Sequence, residues 1–392
     1  VDDLGDEGGR PIFNVLRVRR DVGASSTLGA VVTDRSLSSS DYNRVAGVDA
    51  RFVLGGRYTL EVLAAGSADA RPGEAREWGS LVSASVRRSG RSFSWNGGFE
   101  DTSESFRARS GFIRRVGITE ADMRASYTFR GESGAFVESW GPSISVDGLW
   151  ERSAFWSGSA PAESDVRLSL NGSLRGNVGG MVSVSRSVFN VGAGAYEGLV
   201  VDGLDGPETF LPDTDLFDGM YAVSLRSWIS SWERVRLSLG GGWNQSALFE
   251  GRTDAPVDLA NRWNADVGVT LYPTGAMQAE LGVRHVTLRR ARDGSTYSNA
   301  TIPRVGFRYQ FSRAIYARFN AEYSSQDRDV LRDPATGRTI AYCDGESCAG
   351  SSPSASHRAT LDALVGYEPS PGTVFFIGYA RTAQDPSAFG FS

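Results

Sequence analysis

The sequence has no lysine: all 41 basic residues are arginine. Any basic site must therefore use a planar guanidinium fork rather than a compact ammonium. Histidine and cysteine are nearly absent, at two each: His285, His357, Cys343 and Cys348. Neither histidine has a nearby partner that would make it a catalytic base, and there is no Walker loop, paired-histidine zinc motif or nucleophile elbow. On those absences the chain is expected not to be an enzyme. There is no apolar run of 18 or more residues, which excludes a membrane-spanning helix. Heptads are missing as well. A net charge of −5 argues against nucleic acid as a partner. No signal peptide opens the chain, and Val1 is not a native start, so the sequence reads as a processed or truncated product.

What the chain does have is glycine (47 residues), aromatics (11%) and an apolar residue at every second position. In residues 262–285, Trp263, Ala265, Val267, Val269 and Leu271 alternate with Arg262, Asn264, Asp266, Gly268 and Thr270. After Pro273–Thr274–Gly275 the pattern resumes with Met277, Ala279, Leu281 and Val283. A period of two predicts a β-hairpin with one apolar and one wet face. The same reading puts Val48, Ala50, Phe52 and Leu54 opposite Asp49 and Arg51, and Val166, Leu168 and Leu170 opposite Arg167. It also puts Phe307, Phe319 and Tyr323 opposite Arg304, Arg308, Arg318 and Glu322.

About eighteen such segments of roughly nine to twelve residues follow one another, the length that crosses a bilayer when tilted. Tight turns near 55–56, 88–90, 175–179, 273–275, 312–313 and 369–372 alternate with long polar loops near 34–43, 66–76, 101–118, 151–163, 188–218, 246–259, 290–298 and 326–356. Aromatics recur near the ends of the apolar face: Tyr58, Trp78, Phe93, Phe129, Trp243, Trp263, Tyr309 and Tyr323. A soluble sandwich would have shorter strands and Greek-key connections, and a propeller would show a repeat near forty residues. The pattern predicts an all-β fold, an antiparallel up-and-down transmembrane β-barrel whose apolar face meets lipid. It is read as one domain, 1–392, in the outer membrane of a Gram-negative-type bacterium. Both ends look like external loops rather than periplasmic termini. The expectation is a chain that lacks flanking strands at both ends of a barrel of about twenty strands or more.

The stretches "FNVLRVRRDVGASSTLGAVVTDR", "SFSWNGGFEDTSESFRARSGFIRRVGITEADMRASYTFR" and "VESWGPSISVDGLWERS" resemble the C-terminal half of a bacterial outer-membrane β-barrel family of unknown function. Its longer members carry an N-terminal carbohydrate-binding-type module. The resemblance is strongest over residues 10–150 and implies architecture and location. The module itself is missing here, so no glycan-binding residue is carried over.

Candidate functional residues fall into four groups. Arg51, Arg124, Arg236, Arg262, Asp266, Arg284, Arg304, Arg308, Arg318 and Glu322 line the wet face, and Arg304, Arg308 and Arg318 form a candidate anion-attracting stripe. The turn at 312–313 predicts that Phe311 lies opposite Ile315 and Arg308 opposite Arg318. In the loop "SFRARSGFIRRVG", Arg107, Arg109, Arg114 and Arg115 interleave with Phe106, Phe112 and Ile113. That loop is a candidate for binding anionic lipid headgroups or a sugar acid, or for folding into the pore mouth; the alternative is a loop packed on its neighbours with its arginines in water. Cys343 and Cys348, close in a glycine-rich loop, are a candidate local disulfide in an oxidising compartment, against a pair of free thiols. Asp213, Asp215 and Asp218 are candidate calcium ligands, although an acidic loop is usually just solvated. No other cofactor is indicated.

A barrel this wide cannot be filled by side chains, and no plug domain is visible. The expected function is a channel for small hydrophilic solutes, anionic or carbohydrate among them. The rival is a membrane-anchored surface-binding or scaffold protein, and a soluble adhesin is a third reading. Expected partners are outer-membrane lipid and lipopolysaccharide, small solutes or glycans, and other outer-membrane chains.

Overall fold

The computed structural model describes residues 10–190, 196–203, 206–212, 217, 219–249, 256–344, 347–350, 352–385 and 387. Nineteen strands form one antiparallel up-and-down sheet, the transmembrane β-barrel class of fold. The contacts divide into two compact units, Val1–Thr128 with Pro142–Arg167, and Phe129–Gly141 with Leu168–Ser392.

Unit 1 contains β1 (Ile12–Val22), β2 (Ser26–Ser36), β3 (Tyr42–Leu54), β4 (Tyr58–Ala70), β5 (Glu77–Arg88), β6 (Phe93–Thr102) and β7 (Ile118–Tyr127). The two-residue β8 (Phe129–Arg130) is followed by β9 (Val137–Glu151), the short helix α1 (Arg152–Trp156) and β10 (Glu163–Leu174). Unit 2 continues with β11 (Val178–Phe189), β12 (Leu199–Gly203), β13 (Gly206–Thr209), β14 (Met220–Trp232), β15 (Val235–Phe249) and β16 (Pro256–Thr274). The remaining strands are β17 (Met277–Arg290), β18 (Thr296–Gln310), β19 (Ile315–Arg328), β20 (Ile340–Asp344), β21 (Ser347–Gly350), β22 (Ser354–Ser370) and β23 (Thr373–Asp385). Among the described residues, β1 pairs with β2 and β23 pairs with β22.

The period-two pattern decides which face is which. Val267 pairs with Leu239 on one side and Val283 on the other, a continuous apolar band. Without lipid, Val48, Val267, Leu281 and Val283 are each about half exposed, which a water-soluble sheet would not tolerate across neighbouring strands. One residue along, Asp266 lies opposite Gly240 and Arg284 on the polar face. The tight turns need left-handed backbone, and Gly55 and Gly56 supply it with φ of 56° and 65° between β3 and β4. Register at the 312–313 turn is as the sequence predicts: Arg308 pairs with Arg318, and Phe311 N–H donates to the Ile315 carbonyl at 2.9 Å.

Two of the long polar loops turn out to be folded. In unit 2, β12 pairs with both β13 and β20, and β20 with β21, making a separate four-stranded sheet from the 188–218 and 326–356 regions. The principal apolar core of the unit is there. Leu199, Ile340 and Val257 are fully buried together with Phe210, Leu248, Leu331 and Tyr196. The expectation of solvated loops missed this because each strand has four or five residues and its partner lies far along the chain. Cys343 and Cys348, directly opposite in the β20–β21 hairpin, are joined by a disulfide.

Two outcomes test this architecture. Arginine at Val267 should destabilise the folded protein by about 2–4 kcal/mol in urea titrations in lipid vesicles, whereas arginine at Thr270 on the polar face should cost far less. Equal costs would refute the assigned faces. Cys343→Ser should lower stability by about 2 kcal/mol or less, because the disulfide closes only a short loop. The loss should appear in the amide protection of β20 and β21 and leave β15–β19 unchanged.

Candidate functional site

The polar face of unit 1 is covered by the chain between β6 and β7. The strand residues Val45 and Leu81 form an apolar seat, and Phe106 from the loop fills it, only 2% exposed. Gly79 permits the close approach, since a Cβ there would overlap the backbone of Phe106. Asn43, fully buried, holds the loop with both ends of its amide: Nδ2 donates to the Arg107 carbonyl at 3.0 Å, and Oδ1 accepts the Arg109 N–H at 2.9 Å. The Arg107 N–H donates to Ser67 Oγ at 3.1 Å.

Arg109 then forks between two carboxylates, Nη1 to Asp41 at 2.9 Å and Nη2 to Asp69 at 2.8 Å. Burial opposes its charge, but the hydrogen bonds and charges of Asp69 and Asp41 outweigh that and raise its pKa above the ordinary arginine value. Arg109 is therefore an anchor whose guanidinium is already occupied. Arg115 pairs with Glu163 at 2.7 Å and Arg114 approaches Glu120 at 3.6 Å from an exposed position. Arg107 Nη1 donates to the Glu104 carbonyl at 2.6 Å. Sequence periodicity could not place this loop, because Asp41 and Arg109 are 68 residues apart. Arg51 pairs with Glu61 at 3.2 Å on the same face, and Arg124 stands opposite Asn96 and Ser145.

In unit 2 the polar face carries Arg236, Arg262, Asp266, Arg284, Arg304, Arg308, Arg318 and Glu322. The candidate stripe is largely neutralised: Arg304 is ion-paired with Glu322, and Arg318 with Asp362 at 3.2 Å. Arg308 lies 5.1 Å from the Tyr316 ring and Arg236 lies 4.9 Å from that of Tyr272. Both distances are within cation–π range. Trp228 also belongs to this face, opposite Ser238 and Gly179. It was not singled out in the sequence. The signal was available in "YAVSLRSWISSW", where Trp228 falls in phase with Arg226 rather than with Leu225 and Val223.

The folded loops of unit 2 are held by a buried cation. Arg290, 2% exposed, donates to Asp329 at 2.9 Å, Ser295 Oγ at 3.0 Å and the Val330 carbonyl at 2.6 Å. Tyr196 donates to the Pro256 carbonyl at 3.0 Å, and burial pushes its pKa up to about 12, so it stays a neutral donor at physiological pH. His285 shares a hydrogen bond with Thr301 at 2.9 Å, and His357 is buried against Tyr323. Both histidines have the strand parity of the apolar face. Asp213, Asp215 and Asp218 lie outside the described residues.

No family model matches the chain, and no curated protein matches it. Among solved structures it is similar to the FpvAI–pyocin S2 complex (TM-score 0.41, 10% identity, 92% of this chain and 53% of that one). It is similar to the copper transporter OprC (TM-score 0.41, 10% identity, 96% and 72%) and to OmpT, an outer membrane protein of Vibrio cholerae in trimer form (TM-score 0.34, 10% identity, 96% and 99%). The chain spans about half the length of the first of these. The exposed apolar band and the antiparallel up-and-down sheet are those of a transmembrane β-barrel.

The expectation that it is not an enzyme is withdrawn. That expectation rested on missing linear motifs. A polar sheet face assembles its groups from distant strands, as Arg318 and Asp362 do across 44 residues, and needs no linear motif.

The loop anchor makes a direct prediction. Arg109→Ala leaves Asp69 buried with Asn43 as its main remaining hydrogen-bond donor, which should cost about 3 kcal/mol. Limited proteolysis should then cut between β6 and β7 at least tenfold faster than in the wild-type protein, with the strands still protected. Unchanged cleavage would show that Arg109 does not hold the loop.

Proposed function

We propose that the chain forms a channel for small hydrophilic solutes across the outer membrane, narrowed by the loop between β6 and β7. The observation that carries this reading is the loop itself. It lies on the polar face rather than standing in solvent, and a buried Asn43 and the Asp41–Arg109–Asp69 bridge fix it there. An inward-folded loop over a charged, solvated wall is how a wide pore selects by size. Exposed groups left along that wall set the preference among solutes.

The folded sheet of β12, β13, β20 and β21 favours a second reading, a membrane-anchored protein that binds a partner through its outer loops. Outer-membrane lipid and lipopolysaccharide are the surroundings in either case, and small solutes, glycans or other outer-membrane chains are the candidate partners.

Conductance decides between the two. The reconstituted chain should give unitary ohmic currents in planar bilayers, and Arg109→Ala should raise the unitary conductance by freeing the loop. A folded barrel that carries no current in either form would favour the anchor.

A further inference from the structure

One part of the polar face in unit 2 is shaped for a ligand. A cleft of about 780 Å³ opens there, within the range of small-molecule sites. Trp228 stands at one side of it, 45% exposed. A Cβ on Gly179 would overlap the indole, so the missing side chain at Gly179 is what lets the ring sit against β11. The exposed part of the indole lines the cleft. A half-exposed indole on a polar wall offers an apolar surface surrounded by hydrogen-bonding groups.

Those groups carry both signs, and the third carboxylate, Asp362, is paired with Arg318 at 3.2 Å. Arg236 and Arg304 supply donors, while Glu280, Glu322 and Asp362 supply acceptors. Arg304 is already paired with Glu322, and Asn320 Nδ2 donates to Asp362 at 3.3 Å. An anion entering the cleft would meet three carboxylates, and a cation would meet two guanidiniums. A neutral polyhydroxyl ring meets neither penalty. Its C–H face packs on an aromatic face, and its hydroxyls both donate to carboxylates and accept from arginine and amide.

We propose that this cleft binds a neutral saccharide, stacked on Trp228 and hydrogen-bonded by Arg236, Glu280, Asn320 and Glu322. The proposal rests on reading the polar face as a solvent-filled passage and names the class of solute held there.

The test uses the full chain with maltotriose, cellotriose and xylotriose as neutral probes and trigalacturonic acid as the charged comparator. Binding is read by calorimetry in detergent and, separately, by concentration-dependent block of the current in planar bilayers. At least one neutral trisaccharide should bind, more tightly than trigalacturonic acid. Trp228→Ala should weaken that binding by about tenfold, and Trp228→Phe, which keeps a ring, by less. Heat-modifiable migration in gels checks folding, and if Trp228→Ala does not fold, a loss of affinity in Trp228→Phe decides.

The proposal is overturned if no neutral probe binds, if trigalacturonic acid binds more tightly, or if the Trp228 variants bind as the wild type does. Currents without saccharide binding would leave the channel standing and remove the saccharide site. Trp228-dependent binding without current would support the site and remove the channel.

Discussion

The lipid bilayer offers no hydrogen-bond partner to a peptide group, and each one left unpaired there costs several kcal/mol. Everything else in this chain follows from meeting that demand with strands. Each strand satisfies its neighbour's backbone, so the sequence is free to spend its side chains on two unlike surroundings. Val267 and Asp266 are adjacent in the chain and face opposite ways, one within an apolar band and the other beside Gly240 and Arg284. The meander also sorts the connections. Tight glycine turns such as Gly55–Gly56 close hairpins, and in each unit the buried apolar core among the described residues is built from loops and strand residues away from such turns.

Away from the lipid, ordinary hydrophobic burial among the described residues gathers in the loops and in the strand residues they cover. Phe106 in unit 1 and Leu199, Ile340 and Val257 in unit 2 are as buried as any globular core. These small cores are fastened by charge. Arg109 and Arg290 are each taken almost wholly out of water, where an unpaired cation would be expensive, and each is met by carboxylates and carbonyls at hydrogen-bonding distance. A loop fixed in this way has one position. In the proposed channel, that fixed position would give the constriction a definite size.

The faces of the sheet were legible in the sequence because side-chain direction in a strand depends only on parity. The register at residues 312–313 was legible for the same reason: a short turn fixes which residues meet, and Arg308 does meet Arg318. What periodicity could not supply was the partner of a residue across a long separation. The neutralisation of Arg318 by Asp362, the pairing of Val200 with Ala341, and the seat of Phe106 on Val45 and Leu81 all join distant segments. A local pattern contains no record of these. The sequence presents the loop arginines as a group, and only the fold separates Arg109, an anchor, from Arg114, which is exposed near Glu120. Trp228 was hidden for another reason: an aromatic on a strand is ordinarily assigned to the lipid face, and its parity with Arg226 had to outweigh its chemistry.

The absence of lysine acquires a physical meaning on the polar face. Arg236 over Tyr272, Arg308 over Tyr316 and Arg290 over Tyr297 are contacts between a flat cation and an aromatic ring. A guanidinium can lie against a ring and still donate from its edge, because its donors lie in the plane of the group. An ammonium is more strongly hydrated and would hold water at the same place. Arg308 directly opposes Arg318, an arrangement that repels. The repulsion is relieved in two different ways: Arg318 leans to the carboxylate of Asp362, and Arg308 leans to the ring of Tyr316. Two like charges can therefore occupy one rung of the ladder without a shared counter-ion. The wall keeps a cation directed at the solvent while most of its neighbours are neutralised in pairs.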